Sequence, residues 1–358
     1  VRGRAVAVAL AVVLATLASG FSAPAAAAGT PKVTVMTRNL FLGANLAPAI
    51  EARTMPEFMA ANAAIFAHVQ KVDFTERAKV LAREIADAEP DLLGLQEVSL
   101  WRTGPLGDPA PATTVVYDYL ALLRTELDNV GAPYDVVISQ QEADVEGPAS
   151  DPYNQDIRLT ERDVILVRRG ADLELSNPRS ANFLVNLPIP VLATGGVYMS
   201  TRGWTSVDAV KGGKPFRFVN THLEAFNAQV RVAQATELLA GPLALPPGGT
   251  VVLVGDLNSG PELPKPENRL AYQVLVVAGM VDTWLVLHPG DPGYTASYGD
   301  DLDQPADALE HRIDMVMIRG TLTPIKSRLT GNDPDNRTAG GLWGSDHLGH
   351  VAQLALSG

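Results

Sequence analysis

The chain has 358 residues, a formal net charge of −12 and no cysteine. The lack of cysteine excludes disulfides, thiolate zinc sites, cysteine-ligated iron–sulfur clusters and a cysteine nucleophile, and the acidity argues against tight nonspecific nucleic-acid binding, which depends on basic patches. With 46% hydrophobic residues it can build a sizeable core, and its length admits one large domain or two ordinary ones.

Residues 1–28 read as a secretory signal peptide: Arg2 and Arg4, then an apolar run over 5–18 too short to span a bilayer, then the alanines at 25–28. Secretion from a bacterium is the expectation, with residues 29–358 forming one domain and no transmembrane segment in the mature chain. A strand over 32–37 delivers Asn39. Apolar residues at helical spacing predict a helix over 74–88, and the strand after it (91–95) ends in Gln96-Glu97. Residues 100–114 and 141–156, rich in Pro, Gly and acids, read as loops around a helix at 117–130 and a strand at 134–138. Arg162-Asp163 opens a strand over 164–167. The apolar run 183–191 reads as a buried strand, with an exposed lipid-contacting hairpin as the alternative. A strand over 216–219 delivers Asn220-Thr221-His222, and a helix over 225–240 follows. Residues 250–254 then deliver Gly255-Asp256-Leu257-Asn258. The acidic group Asp300, Asp301, Asp303 and Asp307 lacks EF-hand spacing and reads as a solvated loop. Asp314 opens a strand over 313–318, and Ser345-Asp346-His347 precedes a last one over 351–356.

Six segments thus end or begin at polar groups. One Glu, three Asp, three Asn and two His make the inventory of a hard-cation site doing phosphoryl chemistry: oxygen ligands for Mg²⁺, an acid or base, and donors to a phosphate. Residues from both ends of the chain must meet, which favours a single domain.

In order, Thr37-Arg38-Asn39-Leu40, Leu95-Gln96-Glu97-Val98, Asn220-Thr221-His222-Leu223, Gly255-Asp256-Leu257-Asn258, Arg312-Ile313-Asp314 and Ser345-Asp346-His347 resemble the motifs of the endonuclease/exonuclease/phosphatase superfamily. That superfamily includes DNase I-like nucleases, neutral sphingomyelinases and inositol-polyphosphate phosphatases. The resemblance runs from about Val33 to Leu356 and implies a four-layer α/β sandwich, two packed mixed β-sheets flanked by helices. It implies Glu97 as principal Mg²⁺ ligand helped by Asn39, with Mn²⁺ as a substitute and Asp346 as a ligand to a second metal. It makes Asp256 the group that activates water, Asn258 the group that orients phosphate or nucleophile, and His222 a stabiliser of the pentavalent transition state. His347 contacts the scissile phosphate and Asp314 orients it. Arg162 and Asp163 are second-tier candidates, with a core-edge ion pair as the alternative. Arg38 departs from the pattern, since relatives commonly carry an aromatic residue before the Asn.

The expected enzyme is a metal-dependent, nuclease-like phosphodiesterase using in-line attack of water. A sphingomyelinase-like phospholipid phosphodiesterase and a phosphomonoesterase are the alternatives. The expected partner is the phosphoester itself, a nucleic acid or a phospholipid head group, with no obligate protein partner evident. No clustered Lys/Arg run or aromatic array supports nucleic acid.

Overall fold

The computed structural model describes residues 29–357; the leader-like residues 1–28 lie outside that range. Strand β1 (Lys32–Asn39) is followed by helices α1 (Ala47–Glu51), α2 (Met55–Lys71) and α3 (Phe74–Ala88). Strands β2 (Leu92–Gln96), β3 (Leu100–Pro105) and β4 (Thr114–Asp118) lead into helix α4 (Tyr119–Asn129) and the long strands β5 (Tyr134–Ala149) and β6 (Gln155–Arg168). Then come β7 (Glu174–Asn182), β8 (Leu187–Val191), β9 (Gly196–Ser200), β10 (Gly203–Lys211), β11 (Lys214–His222), α5 (Ala228–Ala240) and β12 (Val251–Asp256). Helix α6 (Leu270–Val277), β13 (Val281–Asp282), α7 (Thr283–Leu287), β14 (Asp314–Arg319), β15 (Leu322–Thr330) and β16 (Gly349–Leu356) complete the chain.

Two mixed sheets organise these elements. One runs β15-β16-β1-β2-β6-β3-β4 with β5 also paired to β6, and the other runs β13-β14-β12-β11-β10-β7. Each has one parallel pair at its centre, β1 with β2 and β11 with β12. The continuous apolar runs of the central strands follow from burial on both faces. Alternate residues of β12 show it: Val252 and Val254 pack between the sheets against Val33, Val35 and Ile318, while Val251 and Leu253 face Leu238 and Leu275 of α5 and α6. On the other side, Phe66, Phe74, Leu81 and Leu123 of α2, α3 and α4 cover Met36 and Leu93. The layers are helix, sheet, sheet, helix, and no described helix is long and apolar enough to cross a membrane.

The two sheets are pinned together near the site. Asn220 of β11 reaches across and donates to Leu95 O (3.1 Å) and Val164 O (3.4 Å) of the opposite sheet, while Gln96 donates to its Oδ1. Gly94 makes room for this contact, because a Cβ there would lie 2.6 Å from both Asn220 Oδ1 and Val254 Cγ2. Asn220, read from sequence only as part of a site motif, is a clamp between layers.

Three sequence expectations require correction. Residues 141–156 are not a loop: β5 and β6 extend through nearly all of it, leaving residues 150–154 as the turn. Strand β5 carries polar residues because much of it is solvent-facing, and bulges at Val136/Ile138 and Gln141/Asp144 break its alternation. Residues 100–105 likewise belong to β3, so the connection expected over 100–114 shrinks to 106–113. The run 183–191 is not a buried strand. Its C-terminal part forms β8, paired only with β9, and Leu184 and Val185 are 92% and 41% exposed.

Candidate functional site

Four of the strand-end segments singled out from sequence open on one pocket, and Asn39 and Asp314 lie behind it in contact with its lining groups. The pocket has a volume of about 280 Å³ and is lined by Glu97, His222, Asp256, Asn258, Asp346 and His347 among others. The sheet containing β1, β2 and β16 supplies Asn39, Glu97, Asp346 and His347; the sheet containing β11, β12 and β14 supplies His222, Asp256, Asn258 and Asp314.

Asp256 Oδ2 is the meeting point. Asn39 Nδ2 donates to it at 3.1 Å, His222 Nε2 lies 3.5 Å away and His347 Nδ1 3.8 Å. Its other oxygen accepts the Asn258 N–H (2.8 Å). Burial, reinforced by the charge of Asp314, pushes the Asp256 carboxyl up to about 7. A carboxylate poised there suits a general base at neutral pH.

Gly255 places Asp256. Its φ is 150°, and a Cβ would meet Thr221 O at 2.0 Å, so β12 can approach β11 this closely only with glycine. Glu97 and Asn258 themselves sit in the left-handed region, at φ 55° and 46°. Such conformations are uncommon for residues with a side chain and cluster where a fold holds functional groups.

Glu97 Oε2 accepts the Leu42 N–H (2.6 Å) and Oε1 accepts from Asn39 Nδ2 (3.2 Å). Burial and then the Asp346 charge raise its pKa; burial, with Asp314 and Asp300 adding to it, raises that of Asp346. Carboxylates that oppose one another's ionisation, offering only oxygen, fit a hard divalent cation that would relieve the repulsion. Asn39, expected to help Glu97, lies beside it. Its Oδ1 accepts the Phe41 N–H (2.9 Å) and its amide nitrogen faces both carboxylates, so it positions Glu97 and Asp256. Ligating atoms of Asp256, Asp314 and His347 also lie within 4.8 Å of one another. Two of these are already joined, since His347 Nδ1 donates to Asp314 Oδ2 at 2.8 Å. Although burial pulls the imidazole down, Asp314, Asp346 and Asp256 raise it well above its ordinary value, and a protonated ring is a proton donor and not a ligand. Thr295 Oγ1 fixes Asp314 from the other side (2.7 Å).

His222 has the opposite character. Burial, the Arg202 charge and His347 push it well below its usual pKa, so it is neutral. Arg202 Nη1 donates to its Nδ1 (2.9 Å) and to Glu161 Oε2 (3.0 Å). Because a guanidinium can only donate, the ring proton sits on Nε2, directed at Asp256 Oδ2 (3.5 Å), while the neighbouring Asn258 amide donates to Leu223 O (3.0 Å).

Sequence reasoning missed the supports. Nothing in the sequence marks Arg202, an isolated Arg between strands. Arg77 is fully buried in α3 and donates to Leu40 O (2.7 Å), Phe41 O (3.1 Å) and Gly344 O (3.0 Å), tying the segment after Asn39 to the one before Asp346. Arg38 pairs with Glu84 (2.9 Å) and donates to the His347 carbonyl, which accounts for a buried cation where an aromatic residue was expected. An Arg inside an apolar helical face was a readable signal, since burial of that charge demands several acceptors. Of the second-tier candidates, Arg162 holds the chain just beyond Glu97 through Val98 O (2.9 Å) and pairs with Asp118 (2.6 Å). Asp163 is buried with both carboxylate oxygens unpartnered, and burial raises its pKa well above normal. It lies outside the pocket lining.

A family model described as the Endonuclease/Exonuclease/phosphatase family matches residues 66–347. The chain belongs to that family. Among solved structures, an endonuclease/exonuclease/phosphatase family protein from Bacteroides thetaiotaomicron superimposes with a TM-score of 0.57 at 16% identity, covering 92% of this chain and 99% of that one. A mannosyl-6-phosphatase from the same organism gives 0.56 at 16%, covering 90% and 99%. A D. rerio TDP2 humanized by 14 mutations gives 0.53 at 16%, covering 90% and 98%. These similarities establish the fold, two large mixed sheets flanked by helices. No curated protein matches the chain. As a member of the endonuclease/exonuclease/phosphatase family, it is a hydrolase of phosphoester bonds that uses a divalent metal.

Proposed function

We propose that the protein is an exported, Mg²⁺-dependent phosphodiesterase that transfers a phosphoryl centre to water in one in-line step, without a covalent enzyme intermediate. The observation that carries this reading is the convergence on Asp256 Oδ2 of Asn39, His222 and His347 from two separate sheets. Glu97 and Asp346 would hold the cation, which when bound supplies charge neutralisation at the phosphoryl oxygens.

The chain's own groups account for the proton movements. Asp256 takes a proton from the attacking water. The protonated His347, held by Asp314, gives one to the departing alkoxide as its bond to phosphorus breaks. Neutral His222 donates from Nε2 to a phosphoryl oxygen, and the Asn258 amide lies beside it. Donors aimed where charge develops are worth ~10²–10³-fold each. Export rests on the pattern of residues 1–28.

A panel of DNA, RNA, phosphatidylcholine, inositol phosphates and an aryl phosphodiester, each with Mg²⁺ or with EDTA, tests the reading. Metal-dependent release from at least one diester is expected. Turnover untouched by thorough metal removal, or confined to monoesters, would refute it.

A further inference from the structure

A second cavity adjoins the catalytic pocket. It has a volume of about 340 Å³ and its walls include Phe58, Ile65, Trp101, Ile157, Leu159 and Val191. The two cavities share Leu46, Ile50 and Tyr198 as lining, which sets an acidic site and an apolar one side by side. The volume falls within the ~300–1,000 Å³ typical of small-molecule sites.

Three of the polar side chains along its wall are already engaged. Asn62 Nδ2 donates to Pro148 O (2.9 Å), Glu146 Oε2 accepts the Ala112 N–H (3.0 Å), and Thr194 Oγ1 donates to Val191 O (3.2 Å). An occupant therefore gains mainly by leaving water. The catalytic end is equally selective. Apart from His347, its only cationic lining residue is Arg202, which is paired with Glu161. Beyond the two carboxylates that would hold the cation, a polyanion flanking the scissile phosphate would meet Asp300, with no cationic side chain among the lining residues besides His347 and the paired Arg202.

Resting on the phosphodiesterase reading above, we propose that the substrate is an amphiphilic phosphodiester whose alkyl or acyl substituent lies in this apolar cavity while its phosphate sits at Asp256. The β8–β9 hairpin forms one wall of the cavity and leaves Leu192 and Val197 67% and 60% exposed at its edge, and Phe226 at the catalytic mouth is 64% exposed. An apolar rim of that kind suits a ligand that arrives with its chain exposed to water or in a lipid surface.

The experiment uses p-nitrophenyl alkyl phosphodiesters from methyl to octyl, below their aggregation limits, with Mg²⁺. The leaving group is constant, so only the alkyl group changes. kcat/KM should rise by about fourfold per methylene over the first several carbons, then level off once the cavity is full. Ala49→Phe, which places a ring in the cavity, and Thr194→Trp, on the exposed turn between β8 and β9, should each flatten the rise and leave the methyl ester within about twofold of the parent; the second keeps the test alive if the first fails to fold. A chain-length-independent series with both variants unchanged would overturn the inference while leaving the phosphodiesterase reading intact; failure to hydrolyse any diester would sink that reading first. A single-stranded oligonucleotide cleaved better than the octyl ester, and equally well by both variants, would also overturn it in favour of nucleic acid. Phosphatidylcholine vesicles separate the sources of chain: cleavage that falls in Leu192→Lys while octyl-ester cleavage holds supports a membrane lipid, and cleavage of the octyl ester alone supports a soluble amphiphile.

Discussion

Replacing Asp256 with Asn should make the metal-free protein more stable as it destroys activity, and the gain should depend on pH. In the folded protein the Asp256 carboxyl holds its proton up to about pH 7, against 3.8 for the ordinary group. The native state therefore binds more protons than the unfolded chain across this window, and its stability falls as pH rises from about 4 to about 7. Roughly three pH units at 1.36 kcal/mol each make a cost on the order of 4 kcal/mol at pH 8, which vanishes near pH 3. Asn cannot ionise, so it escapes that cost, although it gives up an acceptor facing either Asn258 N–H or Asn39 Nδ2, worth ~1 kcal/mol. The net effect is about 3 kcal/mol in favour of the variant at pH 8 and a slight deficit at pH 3. For a chain of this size that corresponds to a Tm difference of about 5 °C. The assay is thermal unfolding of both proteins in EDTA from pH 3 to 8, repeated with Mg²⁺, which should narrow the gap by stabilising the parent. A Tm difference that stays flat across the pH range would refute the electrostatic reasoning, whatever happens to turnover.

Three further outcomes follow from the site. Glu97→Gln should raise the Mg²⁺ concentration needed for half-maximal activity by about tenfold or more with little change in circular dichroism, checked by metal titration after EDTA treatment. His347→Ala should lower kcat by ~10²-fold or more and Asp314→Asn by less, with the double variant near the worse single one, because both act on one transition state; full additivity in kcat would separate them. Arg202→Leu should shift the neutral His222 proton between ring nitrogens, visible as a change in its ¹⁵N shifts, and should destabilise the fold by ~3–5 kcal/mol by leaving Glu161 buried without its partner; Arg202→Lys should restore part of both.

The strand ends were legible because a central strand in a doubly covered sheet announces itself as an unbroken apolar run, and the polar residue that stops it is conspicuous. Val251 to Val254, followed by Gly255 and Asp256, is the clearest case. Helix α3 was read at its observed bounds, since Asp73 caps it by accepting from Thr75 N–H. Strands β5 and β7 were hard to read for the opposite reason: lying at or near sheet edges, they carry Gln, Glu, Asn and Ser where a buried strand would carry Val. Helix α2 escaped notice although Thr54 and Glu57 form a capping box, because its Ala-rich sequence gives a weak apolar face. The meeting of Glu97, Asp256 and His347 in one pocket, with Asn39 against the first two, could be expected from ordered motifs, but the inward turn of the Asn39 amide depends on the Phe41 N–H, a backbone detail with no sequence signal. Arg202 and His222, 20 positions apart, meet because β10 and β11 are antiparallel neighbours in which Gly203 pairs with His222. Only register makes that visible.

The clamp at Asn220 has a consequence for how activity appears during folding. Glu97 and His347 belong to one layer, Asp256 and His222 to the other, and the Asn220 contacts to Leu95 O and Val164 O fix how the layers align. A slip of one residue displaces a strand by about 3.3 Å, enough to pull apart groups that now lie 3.1 to 3.8 Å from Asp256 Oδ2. A chain in which one sheet has formed without the other, or in which the two have met out of alignment, holds only half of the reacting groups. Nascent or misassembled molecules are thereby kept inert, and hydrolytic power arrives only when the midplane of the sandwich closes.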